Sequence, residues 1–134
     1  MDTTDTTDTT DTTDTTMTSD PIAALKSVQA SYLRDGFNQA PLNGLVTTCG
    51  IKVDCKQSDV SLLTMLYNRL LQTGATSTEL MDYNNVSQTI TVAQLGQIIS
   101  EMTDNGLSIY AHKWTSSAAL AAATTAEEVQ AVVW

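Results

Sequence analysis

The chain begins with five consecutive Asp-Thr-Thr triplets, which occupy Asp2 to Thr16. None of the triplets contains an apolar side chain, so burial cannot offset the entropy lost on ordering their backbone. We therefore predict that residues 1–19, the N-terminal repeat, are disordered unless assembly orders them. The triplets carry five of the fifteen acidic residues, so only −4 of the net charge of −9 belongs to residues 17–134. The folded part is therefore predicted to be only mildly acidic.

Two interpretations of the N-terminal repeat remain open. It could be a solvated spacer of low complexity, or it could bind cations or a basic partner, or pair as strands when several copies align. Threonine is β-branched and favours extended backbone, which is compatible with ordering in a larger assembly. The spacer is the interpretation that the composition favours.

The remaining residues are enough for one small domain with a single core. No run approaches the roughly 18 to 20 apolar residues of a membrane span, and no basic region followed by an apolar run opens the chain. We therefore expect neither membrane insertion nor classical secretion. The six basic residues are scattered singly, at Lys26, Arg34, Lys52, Lys56, Arg69 and Lys113. Such scattering does not form the patch that neutralises nucleic-acid phosphates, so nucleic-acid binding is not expected.

The two cysteines, Cys49 and Cys55, do not have the spacing of a zinc or redox motif. If the segment between them is extended, their sulfurs lie about 20 Å apart, whereas a disulfide requires Cα atoms within about 7 Å. An intrachain bridge would therefore need a chain reversal within residues 50–54. The geometry favours two free thiols or a link to another chain.

Residues typical of helix starts and helix ends predict two helices in the first half of the folded part. Asp20-Pro21 predicts the start of a helix over residues 21–35 that ends at Gly36. A second helix is predicted over residues 59–73, ending at Gly74. Its apolar face comprises Val60, Leu63, Leu66, Tyr67, Leu70 and Leu71, and is widened by Leu62 and Met65. So broad a face exceeds what one neighbouring surface covers, which predicts a central position or a subunit contact.

Short strands and further helices complete the pattern. Residues 45–48 with 51–54, and residues 78–83 with 88–91, predict two β-hairpins. Thr91 is predicted to cap a long helix that starts after it. The side chains predicted to share the core-facing side of this helix are Leu95, Ile98, Ile99, Met102, Ile109, Tyr110 and Trp114. Gly96 and Gly106 interrupt this pattern, so either close packing or a kink, and either one helix or two, is compatible with it.

The chain ends with a predicted short helix and a tryptophan. Thr124-Thr125 followed by Glu127-Glu128 has the pattern of a capping box, which predicts a helix reaching about Val132. We expect Trp134 to fold back on the protein or to enter a partner, because a large apolar side chain is costly to expose. The sequence thus predicts a mainly helical α+β domain with two short β-hairpins.

The sequence provides no candidate catalytic group. His112 is the only histidine, and nothing places an acid or nucleophile within its reach. Glu127 and Glu128 are explained by helix capping, and Asp54 with Asp59 lacks the ligand spacing of a calcium loop. No nucleophile elbow or phosphate-binding loop occurs. We predict no catalytic, cofactor-binding or metal-binding residues and no cofactor, and we expect a protein that is not an enzyme.

Three segments between Gly44 and Trp134 carry a resemblance to a known family. They are GIKVDCKQSDVSLLTMLYNRLLQTGAT, MDYNNVSQTITVAQLGQII, and IYAHKW with the closing AAATTAEEVQAVVW. They resemble a domain of unknown function found near the C-termini of tail-fibre proteins of tailed bacteriophages. The resemblance implies a structural role in the virion tail, with assembly in the host cytoplasm, and gives no catalytic residues to carry over.

The resemblance also suggests an organisation of the chain and a set of partners. In that family the domain usually follows a long fibre chain, whereas here it follows the N-terminal repeat (1–19) and a helix with a linker (20–43). For residues 44–134 we therefore expect a subunit or adaptor associated with the tail fibre or baseplate, which self-associates and binds fibre proteins. A fibre-assembly chaperone that is absent from the mature virion and a receptor-binding module for host attachment are the alternatives. The side chains predicted to form the interface are Leu62, Met65, Leu66 and Trp134.

Overall fold

The computed structural model describes residues 20–134, and the N-terminal repeat lies outside the described residues. The described part is 67% helical and contains two antiparallel sheets of two strands each. In chain order the elements are α1 (Pro21–Gln39), a 3-10 helix (Ala40–Asn43), β1 (Leu45–Val46), β2 (Lys52–Val53), α2 (Gln57–Thr73), β3 (Ser77–Met81), β4 (Ser87–Thr91), α3 (Val92–Ala122) and α4 (Ala126–Ala131). The predicted class, a mainly helical α+β domain with two short hairpins, is confirmed.

The contacts divide the described residues into two compact units. Unit 1 contains residues 20–34 and 115–134, and unit 2 contains residues 35–114. The boundaries therefore fall within α1 and within α3, whereas the sequence predicted a boundary near residue 44. The two units have separate cores, so the predicted single core is wrong.

Helix α1 starts where the sequence predicted and ends later. The Ala23 N–H donates to the Asp20 carboxylate over 3.0 Å, which caps the first turn. The predicted end at Gly36 is wrong, because the helix continues to Gln39. Gly36 does not adopt the positive φ of a helix-ending glycine, so it remains an ordinary helical residue here.

Helix α2 begins two residues before the predicted start and ends as predicted. Its N-cap is Lys56, whose N–H donates to the carboxylate of Asp59 over 2.9 Å. Asp59 is the third residue of the helix, where its negative charge lies at the positive end of the helix dipole. At the other end Gly74 adopts φ 72°, and the Ala75 N–H donates to the Leu70 carbonyl over 3.1 Å. This left-handed termination is the one that a glycine permits.

Both predicted hairpins are present, and the strands of the first are shorter than predicted. In the second hairpin both strands begin one residue earlier than predicted, and β3 also ends two residues earlier. Leu45 pairs with Val53 in the first hairpin, and Ser77 pairs with Thr91 in the second. In the turn of the second hairpin, one oxygen of Asp82 accepts the N–H groups of Asn84 and Val86, each over 2.9 Å. Such a side-chain-closed turn explains why the chain reverses at this point.

Helix α3 is one continuous helix of 31 residues, which resolves the alternative that the two glycines left open. Thr91 caps it as predicted, since its hydroxyl accepts the Gln94 N–H over 3.0 Å and the Gln94 side chain accepts the Thr91 N–H over 2.9 Å. Gly96 marks close packing, because a Cβ there would lie 3.0 Å from the ring of Tyr67. At Gly106 a Cβ would meet no atom within 4 Å.

The core of unit 2 forms around the first three turns of α3. Leu95, Ile98 and Met102 are completely buried there. They pack with Val53, Cys55, Leu80 and Ile90 from the two hairpins and the segment after β2. The predicted core-facing side of α3 is thus correct at its start and wrong at Tyr110 and Trp114, whose side chains are 39% and 64% exposed.

The core of unit 1 is smaller and includes the C-terminal helix. Its buried members are Leu33, Leu120, Ala123 and Val129. Trp134 is partly buried against this cluster, so it folds back on the protein, which is one of the two outcomes expected for it. The predicted capping box is confirmed: the Thr125 hydroxyl accepts the Glu128 N–H over 3.1 Å, and Glu128 accepts the Thr125 N–H over 3.2 Å.

The two helical glycines of α3 give a test of packing. We expect Gly106→Ala to raise the free energy of unfolding by about 1 kcal/mol, because alanine has the higher helix propensity and the added Cβ meets nothing. Gly96→Ala should gain less or lose stability, because its Cβ would press on Tyr67. Urea unfolding of both variants measures the difference. Equal stabilisation by the two substitutions would contradict the packing described here.

The cap of α4 predicts a pH dependence. Hydrogen bonds from the backbone N–H and the hydroxyl of Thr124 are the main causes that lower the pKa of the Glu128 carboxyl. A carboxyl whose pKa is lower in the folded state stabilises that state above its unfolded pKa of about 4.3, and this stabilisation is lost as the pH falls through the folded value. Glu128→Gln should therefore be less stable than the wild type at pH 7, with the difference shrinking below about pH 4. The control is the exposed neighbour variant Glu127→Gln, which should show little of this effect when urea unfolding is followed across pH.

Candidate interaction surface

Helix α2 has one side that packs and one side that does not. Leu63 and Leu70 pack, partly buried, against the core of unit 2. On the other side, Leu62 and Met65 are 64% and 69% exposed. The broad apolar face predicted from the sequence is therefore only partly covered within unit 2. Exposed leucine and methionine side chains in neighbouring helical turns are typical of a contact surface.

A groove of about 280 Å³ lies beside this exposed side, lined by α2, β2, β3 and the residue after β2. Six apolar side chains line it: Val53, Leu62, Leu63, Leu66, Leu80 and Met81. Met81 is itself 58% exposed, so apolar surface continues from the helix onto the hairpin. We name this feature the α2–β3 groove.

Three carboxylates, those of Asp54, Asp59 and Glu79, complete the lining of the α2–β3 groove, and none of its lining residues is basic. Two of them are held in position. Asp59 accepts the N–H of Lys56 at the start of α2, and Glu79 accepts the hydroxyl of Ser87 over 2.7 Å across the hairpin. Asp54 is exposed at the end of β2. The groove therefore combines an apolar surface with fixed negative charge.

The predicted interface residues do not all lie together. Leu62 and Leu66 both line the α2–β3 groove, and Leu66 also packs against the core of unit 2. Met65, which directly precedes Leu66 on the helix, is exposed but does not line the groove. Trp134 belongs to unit 1 and packs against that unit's own cluster. The structure thus places three of the four residues on one helix of unit 2.

The sequence did not predict a second cleft, of about 360 Å³, that lies beside Cys55 in unit 2. Its lining includes Phe37, Val60, Met102 and Tyr110, and carries no charged side chain. The rings of Phe37 and Tyr110 meet edge to face, with centroids 5.1 Å apart. The lining comes from separate helices and loops, so no local motif announces it. Gly106 is the one lining residue without a side chain, and a Cβ there would meet no atom within 4 Å.

The two cysteines have different surroundings. Cys49 is exposed in the turn of the first hairpin, whereas Cys55 is only 4% exposed. Both thiols are free, which is one of the two arrangements that the spacing favoured. Burial raises the pKa of the Cys55 thiol, and a hydrogen bond from Asn105 at 3.4 Å partly opposes that rise. A buried thiol cannot reach another chain without unfolding, so the link to another chain is disfavoured at Cys55.

The remaining candidate groups do not form a site. His112 lies exposed on α3. Within residues 20–134, no three His, Cys, Asp or Glu side chains come close enough to hold a metal ion. Glu128 performs the capping role that the sequence assigned to the pair Glu127-Glu128. No helix in that described range is both long and apolar enough to cross a membrane.

The comparison with family models gives one match. The model of the Domain of unknown function (DUF4376) matches residues 20–133. The chain belongs to this family. The match includes α1, which lies before the segments that carried the resemblance in the sequence. Comparisons with curated proteins and with solved structures found no match.

The thiols provide a direct test of these surroundings. We expect one thiol per chain, that of Cys49, to react rapidly with a thiol reagent under native conditions, and the second to react only after unfolding, because Cys55 is buried and its thiolate is disfavoured. Colorimetric titration followed by peptide mass spectrometry identifies the modified residue. Cys49→Ser should abolish the rapid phase and Cys55→Ser should leave it intact. A rapid phase that persists in Cys49→Ser would show that Cys55 is accessible.

Proposed function

We propose that this protein is a non-enzymatic structural component of a bacteriophage tail, a fibre- or baseplate-associated subunit or adaptor that binds fibre proteins. The observation that carries the proposal is the exposed apolar side of α2, where Leu62 and Met65 are more than half exposed. The resemblance of residues 44–134 to a domain of tail-fibre proteins supplies the biological setting.

The physical support is the difference between the two sides of α2, of which one packs against the core and the other is exposed. A helix that served only the core would place polar residues on the side away from it. Here that side carries two large apolar side chains beside an apolar groove, and exposed surface of this kind is costly unless a partner covers it. Assembly into a larger particle is a setting in which such a partner is permanently present.

The chaperone and the receptor-binding module would use an exposed apolar surface as well, and particle composition separates them. We expect mass spectrometry of purified virions to detect this protein, and the purified protein to self-associate or to coelute with a fibre protein on size-exclusion chromatography. Absence from virions combined with binding to a fibre protein would favour the chaperone. Blockade of adsorption to host cells by the isolated protein would favour the receptor-binding module.

The surface assignment has its own test. Leu62→Gln combined with Met65→Gln should reduce coelution with the fibre protein by about tenfold or more, because two central apolar contacts are replaced by polar groups. The control is Val28→Gln, since Val28 is 68% exposed on α1 and lines neither the α2–β3 groove nor the cleft beside Cys55. Equal loss in the control would show that α2 is not the contact surface. Circular dichroism of each variant checks that the fold is intact.

A further inference from the structure

We infer that the α2–β3 groove binds a protein segment in which an apolar anchor residue is flanked by lysine or arginine. The inference rests on the proposed function and specifies its partner: a positively charged amphipathic segment of another protein, bound in unit 2. The inference is based on the apolar and acidic side chains that line the groove.

The apolar part of the groove selects the anchor. Leu62, Leu66 and Met81 line a space of about 280 Å³, which is enough for one large aliphatic or aromatic side chain and part of its helix or strand. Leu63 and Leu80 continue into the core of unit 2, so this surface is backed by packed side chains. A rigid apolar recess of this kind is the usual seat of an anchor residue.

The charged part of the groove selects the flanks. Asp54, Asp59 and Glu79 place three negative charges around the apolar lining, with no basic side chain among the lining residues. Hydrogen bonds from Lys56 and Ser87 hold two of these carboxylates in position. Fixed charges of one sign favour a partner of opposite charge and repel one of like charge. The fitting partner therefore carries Lys or Arg on either side of its anchor.

The same charges argue against two other occupants. A second copy that presents the same groove would bring like-charged carboxylates together, which costs free energy in a symmetric contact. An anionic lipid surface would also be repelled by three carboxylates. A basic segment of a different protein is the occupant that satisfies both the apolar and the charged parts of the groove.

The test uses the full chain and two designed probes. The first is an amphipathic helical peptide of about 18 residues made of leucine and lysine, and the second has glutamate in place of every lysine. Fluorescence anisotropy at two salt concentrations measures their binding. We expect the lysine peptide to bind more weakly at high salt, because screening is stronger, and the glutamate peptide to show no binding.

Matched variants locate the binding. The double variant Asp54→Lys with Glu79→Lys should bind the lysine peptide about tenfold or more weakly than the wild type does. The control pair Asp35→Lys with Asp104→Lys changes the net charge equally at two exposed positions outside the groove, and should change binding by less than about threefold. Leu62→Gln should weaken binding by about fivefold and Val28→Gln should not. If the lysine pair prevents folding, Asp54→Asn with Glu79→Gln replaces it, with a smaller loss in the same direction.

The outcomes separate this inference from the proposed function. Equal loss in the two charge pairs would mean non-specific attraction to an acidic protein and would overturn the groove assignment. Equal binding of the lysine peptide and the glutamate peptide would also overturn it. If the groove variants bind the lysine peptide as tightly as the wild type does, and the protein is present in virions, the proposed function stands and this inference fails. If the groove binds the lysine peptide as described but virions lack the protein, the tail assignment fails alone.

Discussion

The buried side of α3 is the constraint on which unit 2 depends. Leu95, Ile98 and Met102 have no exposed surface, and both hairpins supply side chains that cover them. Each two-stranded hairpin would be only marginally stable alone, so its apolar side chains need this helix. The turn of the first hairpin is also tied to α3, because Glu101 accepts the N–H and the hydroxyl of Thr48 over 2.9 and 2.7 Å. One helix therefore holds both hairpins.

That arrangement explains why α2 retains an exposed apolar side. The core around α3 has room for one side of α2, and the tight contact between Tyr67 and Gly96 fixes how close the two helices approach. Leu62 lies on the remaining side with no element of unit 2 over it. The exposure therefore follows from the geometry of the core, and the α2–β3 groove is a consequence of the same packing.

Local signals in the sequence were sufficient for the elements but not for their ends or their surroundings. The caps at Thr91 and Thr125 and the termination at Gly74 were predictable because each depends on side chains within a few residues. Gly36 was misjudged because a glycine can end a helix or continue it, and the choice depends on φ, which neighbouring elements set. The groove and the cleft beside Cys55 were not predictable, because their linings combine residues from distant parts of the chain.

The carboxylates of the groove differ in what they do for the fold, and this difference bears on how the groove can work. Asp59 stabilises the start of α2, and Glu79 joins the two strands of its hairpin through Ser87. Both are thereby fixed in place before any partner arrives, which lowers the ordering cost of recognition. Asp54 is exposed and has no comparable role in stabilising the hairpin or the helix. The effect of removing its charge on partner binding is therefore the most direct measure of recognition by the groove. At Asp59 and Glu79, the hydrogen bonds that stabilise the helix start and the hairpin also fix the negative charges of the groove.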